Sequence, residues 1–308
     1  MMKQFFMLTL AAAAVLAAPH AAHAAIHVFA CEPEWAALAK ELGGDAVTVT
    51  SATTPQQDPH HVRAKPSLLA AMRKADMVVC SGAGLEIGWL PILLGKAGGA
   101  QVQPGADGYL MAADFVKRLE VPAVVDRAQG DVHPEGNPHI QTDPRNIAAV
   151  AAVLGKRLAV IDPAHAAAYE ARTADFQNRW RAATAKWERE TVSLKGMPIV
   201  VHHKAWVYLV NWLGLTEVGS LESKPGIPPT SAHLEELLAK VRQQPVQVIV
   251  RTPYESADAS DWLAEKTGTP AVVLPFTVGG DAQSTDLFAL FDQTVHVLLG
   301  AAHAPARF

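Results

Sequence analysis

Short apolar runs and longer amphipathic stretches alternate along this chain. Ile26–Ala30, Val47–Thr50 and Met77–Cys80 read as strands, with helical patterns between them over Glu34–Leu42 and Ser67–Lys74. Gly43-Gly44 ends the first of these helices. A further helix is expected over Leu85–Gly95, bent or divided at Pro91. The alternation returns late in the chain, with strands at Ile199–Val201, Glu217–Leu221, Val246–Val250 and Ala271–Leu274. The helices of that half fall at Ala205–Leu213, Ala232–Gln243, Asp258–Thr267 and Thr285–Leu299. Short apolar strands separated by helices imply βαβ units and parallel sheets covered on both faces.

The middle of the chain differs. Asp143-Pro144 sets a capping acid before a first-turn proline, and the pattern continues as helix over Asn146–Val160. Asp162-Pro163 repeats the signal and opens Ala164–Ser193, which holds no glycine and no internal proline. At about 1.5 Å per residue that helix reaches about 45 Å, longer than one lobe is wide. The expected fold class is therefore α/β: two βα lobes, each with a mainly parallel sheet flanked by helices, joined by a long interlobe helix. The boundaries are 1–24 for a signal peptide, 25–161 for the N-terminal lobe, 162–195 for the linking helix and 196–308 for the C-terminal lobe. Ligands of such sheets bind beyond the carboxyl ends of the strands, which here means the cleft between lobes.

Composition narrows the partners. Half of the 308 residues are hydrophobic, the net charge is −4 and aromatic residues are few, so nucleic acid is excluded as a partner. At the N-terminus Lys3 precedes the apolar run Phe5–Ala18, and Ala22-His23-Ala24 offers the small residues that a signal peptidase reads. A secretory signal cut after Ala24 is expected, because the run is short of the roughly 20 residues of a spanning helix. Cys31 lies well past that run, with bulky Phe29 two places before it, which sets aside a lipoprotein. Cys31 and Cys80 follow similar strand-like runs, and an even cysteine count in an oxidising compartment permits one bridge.

The candidate chemistry lies in the histidines. His60, in "DPHHVRAKPS", sits in the loop after the second strand; His139, in "GNPHIQTDPRN", precedes a helix; His203 ends the strand of "PIVVHH". All three lie on the carboxyl side, where the cleft belongs. His60 and His139 each follow a proline, whose fixed φ stiffens the loop that presents the ring. Neutral imidazole suits zinc, and three rings with one carboxylate complete a tetrahedral shell. Adjacent side chains in extended backbone point to opposite sides, so only one of His60 and His61, and one of His202 and His203, reaches a common centre. His133, in "GDVHPEGNPH", is a loop candidate for transient contact with the metal.

In order along the chain, "DPHHVRAKPS", "ADMVVCSGAGLE", "NPHIQTDPRN", "HHKAWVYLVNWLGL" and "DLFALFDQTVHVLL" resemble the solute-binding proteins of ABC importers for zinc and manganese, known as cluster A-I. The resemblance spans essentially the whole mature chain. It implies two lobes joined by a long helix, a periplasmic location and a metal ion held between the lobes as transported ligand rather than cofactor. It also implies an inner-membrane ABC permease as partner, with a periplasmic metallochaperone as a further candidate, and a monomer. Carried over by motif, the metal ligands are His60, His139 and His203, the last favoured over His202 by the downstream Lys204-Ala205-Trp206. The fourth ligand is an acid near the last helix: Asp286 fits the "DLF" context, and Asp281 is the alternative. Two features depart from the family. Ile140-Gln141-Thr142 stands where an aromatic is usual, and a long His- and acid-rich loop is absent unless "DRAQGDVHPEGN" replaces it. Strands in the order 2-1-3-4 would make the two that end near Cys31 and Cys80 neighbours, so those residues are expected to be bridged.

Manganese members of the family tend to carry Glu where this chain has His203, and the nitrogen-rich set therefore points to zinc. A manganese receptor of the same family is one alternative. The other is a secreted zinc hydrolase, but the chain has no HExxH, no GxSxG and no acid pair near the histidines. Glu222, in "SLESKPG", is its nearest candidate base, although a salt bridge is the plainer role. A structural surface protein predicts repeats or an anchoring segment, and neither is found. The expectation is a zinc-binding receptor without catalytic activity.

Overall fold

The computed structural model describes residues 24–124, 130 and 132–303. The expected signal peptide thus lies, apart from Ala24, outside the described residues, as does part of the segment preceding His133. No helix among the described residues is long and apolar enough to cross a membrane.

The first sheet is built from β1 (Ile26–Ala30), β2 (Val47–Ser51), β3 (Met77–Cys80) and β4 (Tyr109–Met111), in the order β2-β1-β3-β4 with every pair parallel. Around it run α1 (Pro33–Gly43), α2 (Pro66–Lys74) and α3 (Leu90–Ala97). All four residues of β3 are buried, as a strand covered on both faces requires. The second sheet repeats the plan with β5 (Pro198–Val201), β6 (Thr216–Ser220), β7 (Val248–Arg251) and β8 (Ala271–Val273), ordered β6-β5-β7-β8 and again wholly parallel. Its helices are α6 (Val207–Leu213), α7 (Ser231–Gln243) and α8 (Asp258–Thr267). In both lobes the chain direction across the sheet reverses at the first strand, and that switch point is where α/β sheets open a crevice.

Helices α4 (Pro144–Ile161), α5 (Ala166–Glu190) and α9 (Leu287–Ala302) form the join. Asp143 caps α4 by accepting the Arg145 backbone N–H, with Pro144 in the first turn. α5 has 25 residues, so it is about 37 Å long at about 1.5 Å per residue. It is shorter than the expected helix because Pro163–His165 and Val192–Leu194 form single 3-10 turns at its ends. Its aromatic face faces both lobes. The Trp180 indole donates to the Pro144 carbonyl of α4 at 2.8 Å, while Trp187 donates to Asp292 of α9 at 2.7 Å and stacks on Phe291.

Two local expectations differ from the structure. The helix around Pro91 starts at Leu90 rather than Leu85, and Pro91 lies in its first turn instead of bending it. Proline lacks an N–H, and the first turn is where that donor has no helical acceptor in any case. β4 has no counterpart in the sequence reading. Cys31 and Cys80 form a disulfide, with Cα atoms 4.8 Å apart at the ends of the paired β1 and β3.

Candidate metal centre

His60, His139 and His203 meet between the lobes. Their ring centroids form a nearly equilateral triangle with sides of 5.2, 5.5 and 5.5 Å, and one nitrogen from each lies within 4.8 Å of the others. A tetrahedral ion with Zn–N bonds of about 2.0–2.1 Å sets its ligands roughly 3.3–3.4 Å apart, so a small inward shift of the rings closes this set.

Each ring is held by its own local structure. His60 lies between β2 and α2, where Asp58 Oδ1 accepts its backbone N–H at 2.9 Å and contacts Nδ1 at 2.8 Å. A carboxylate only accepts, so Nδ1 carries the proton and Nε2 keeps a lone pair for the centre. Burial raises the Asp58 carboxyl, but the hydrogen bonds from His60 outweigh it and leave the group below its ordinary value. His203 follows β5 and repeats the device: Glu222 Oε2 lies 2.7 Å from its Nδ1 and also accepts the Gly226 backbone N–H. Burial alone would lower His203, yet Glu222 reverses the sign and raises it above the usual imidazole value. The candidate base of the hydrolase reading is therefore engaged in fixing a ring.

His139 is the most telling of the three. It is fully buried, and neither ring nitrogen has a hydrogen-bond partner. An unsatisfied buried polar atom costs about 1–3 kcal/mol, so an imidazole with both nitrogens orphaned is placed for something that binds it. Asn137 accepts the His139 backbone N–H and itself donates to the Lys204 carbonyl of the other lobe at 2.7 Å, setting this loop against the strand end that carries His203. Burial, followed by the charges of His60 and His203, holds His139 well below the ordinary value and therefore neutral, the form that ligates metal.

The neighbouring histidines are not part of the triad. His61 is exposed, and His202 stands outside the triad. The expected fourth ligand does not join the group. Asp286 is exposed and caps α9, its Oδ1 accepting the Ala289 N–H at 2.9 Å. Asp281 is likewise occupied, accepting from Gln283 and Ser284 backbone N–H groups. An acid just before an apolar helix is an N-cap signature, and in "DLF" that local role explains the residue. His133 approaches one member of the triad, with its Nε2 3.3 Å from His60 Nε2, but it is not among the three residues whose ligand atoms all lie within 4.8 Å of one another. Burial, with His60 and His203 nearby, lowers His133 to about 4.

Comparisons with known proteins give the family and the fold. A family model described as "ZnuA: Zinc-uptake complex component A periplasmic" matches residues 28–301. The curated "High-affinity zinc uptake system protein ZnuA" of Brucella abortus is 31% identical over 104 residues, 34% of this chain and 31% of that protein. "Zinc-binding lipoprotein AdcA" of Streptococcus pneumoniae is 22% identical over 236 residues, 76% of this chain and 46% of the other. The matched stretches thus span about a third and under half of these relatives' lengths. Among solved structures, "Crystal structure of ZnuA" superposes with a TM-score of 0.75 at 22% identity, covering 90% of this chain and 99% of the other. A Cd-bound periplasmic metal binding protein from Candidatus Liberibacter asiaticus follows at 0.72 and 17%, with the same coverage of 90% and 99%. At such identities the likeness is one of fold.

Proposed function

The chain belongs to the family of periplasmic zinc-uptake components A, and from that membership we propose that it captures one zinc ion between its lobes and delivers it to an inner-membrane ABC permease. His60, His139 and His203 are the protein ligands of that reading, with His133 completing the shell in place of the expected Asp286. The observation that carries it is the fully buried His139 ring with two unpartnered nitrogens, aimed at two imidazoles whose Nδ1 atoms are tied to carboxylates. A histidine ligand held by a carboxylate on its other nitrogen is the usual arrangement of a tuned metal site.

Zinc is the ion we assign. Four imidazole nitrogens suit a four-coordinate ion of borderline softness, whereas manganese favours oxygen donors and six-coordination. The ion is cargo: the site holds it by shape and lone pairs, and no bond is made or broken. The reading takes 25–161 and 196–308 as the metal-binding lobes of a monomer and 162–195 as their link, with export through a signal peptide cut after Ala24.

Zinc titration of protein purified without chelator tests the proposal. One ion per chain is expected for the wild type. His60→Ala, His139→Ala and His203→Ala should each weaken binding by at least about 100-fold, the upper end of what loss of a mere ligand-orienting group costs. His61→Ala and His202→Ala should change it little. Equal losses across all five, or no stoichiometric uptake, would contradict the reading.

A further inference from the structure

The cleft continues beside the histidines into a cavity of about 730 Å³ in the second lobe. A bare ion with four protein ligands needs none of this space, and the volume falls in the range of small-molecule sites, about 300–1,000 Å³. One end is the edge of His60 and His203. Part of the lining is apolar, made by Leu234 of α7 with Ala259 and Trp262 of α8.

Its polar groups have one sign. Glu235 and Asp258 stand exposed at the lining, and Glu255 lies deeper, with no lysine or arginine among the described lining residues. Three lining side chains also keep buried atoms without partners: Glu255 Oε1, the Tyr254 hydroxyl, and Nδ1 of His202, a residue only 5% exposed. Such atoms are costly unless a ligand meets them. Carboxylates around an apolar wall select a cation with some apolar surface, and they repel anionic chelators such as citrate.

We propose that this cavity binds a small cationic nitrogen ligand that accompanies the zinc ion, with one of its nitrogens reaching the ion at the His60–His203 edge. The inference rests on the reading of those histidines as cargo ligands. The ligand class is an imidazole or amine donor joined to an ammonium group. The donor nitrogen adds a fifth position to the zinc shell, an expansion zinc tolerates. The ammonium faces Glu255 and the acids at the lining, and the carbon chain lies on Trp262 and Leu234. His202 then has a ligand to meet, which accounts for a buried histidine that stands outside the metal triad.

Histamine is the probe, titrated calorimetrically into zinc-loaded and zinc-free protein with native mass spectrometry of each mixture. Zinc-loaded wild type should hold one histamine, and the zinc-free protein should bind it at least about tenfold more weakly. Ala259→Phe, which fills the cavity, and Glu235→Lys, an exposed charge reversal, should each weaken histamine binding at least about tenfold while zinc affinity stays unchanged. Citrate should form no ternary complex. Zinc bound without histamine, or both variants binding histamine as the wild type does, would overturn this inference alone. Failure of the wild type to bind zinc at all would remove the cargo reading and this one with it.

Discussion

Asp58 and Glu222 each accept a hydrogen bond from the Nδ1–H of a histidine, which leaves the other ring nitrogen as a lone pair. Asp58→Ala and Glu222→Ala should therefore lower zinc affinity by about 10–100-fold with the three rings still present, as read by competition with a chromophoric chelator. An unchanged affinity would show that the carboxylates do not hold the ligand geometry. His133→Ala should cost less than His139→Ala, because water can take a partly exposed position but cannot replace a fully buried ring. At this scale the sequence was informative wherever backbone rules govern a side chain. Prolines before His60 and His139, and the alternation at His202-His203, identified rings that the structure brings together. It left two readings open where one residue type serves two purposes. The carboxylate of Asp286 reads equally as metal ligand or helix cap, and only the distance to Ala289 N–H separates the two. Glu222 was visible, but its pairing with His203 across 19 positions has no local signature.

The helix ends carry separable tests. If Asp286 is only a cap, Asp286→Ala should destabilise the protein by about 1 kcal/mol and leave zinc affinity unchanged. A selective loss of zinc binding in that variant would restore it as a ligand. At the start of α1, Glu32 and Glu34 are buried beside Glu86 from the turn before α3, and Glu34 accepts the Thr277 hydroxyl of the other lobe at 2.5 Å. Burial raises Glu34 and Glu86 to about 7 and Glu32 well above its ordinary value. Because these folded-state values exceed the unfolded value near 4.5, their contribution is fully present below about pH 4.5 and declines as pH rises through about 7. His133 and His139 act in the opposite sense, since their folded values are lowered. Glu86→Gln against wild type isolates the acid: the variant should gain relative stability between pH 5 and pH 8 in denaturant titrations, and a parallel pair of curves would contradict the assignment. Most strands and helices were legible because parallel βα units write continuous apolar runs. β4 was not, because its three residues lie beside Gly105 and Gly108 without the β-branched apolar run that marked the equally short β8.

Across the whole molecule, α5 sets how far the lobes can move. Phe176, Trp180 and Trp187 are buried on its length, and Trp180 meets Phe288 and Phe291 of α9 edge-on while bonding α4. Cross-lobe bonds from Tyr208 to the Asn137 carbonyl and from Asn137 to Lys204 add to this bracing. Zinc release should therefore shift Cα positions by about 1 Å or less, the range of pre-organised binding sites, as compared by crystal structures of loaded and stripped protein. A large hinge opening would show that the aromatic join is not the rigid part. The two-lobe plan and the long helix were readable from the repeated alternation and the middle stretch without glycine or internal proline, whereas the cavity beside the site was not, since it forms between α7, α8 and separate loops. The central claim is that one zinc ion sits among imidazoles between the lobes, and X-ray absorption at the zinc edge on protein purified without chelator tests it most directly. The account predicts one zinc per chain, bonded at about 2.0–2.1 Å to nitrogen, with the multiple scattering of three or four imidazole rings. A shell dominated by oxygen, or one holding fewer than three imidazoles, would contradict it.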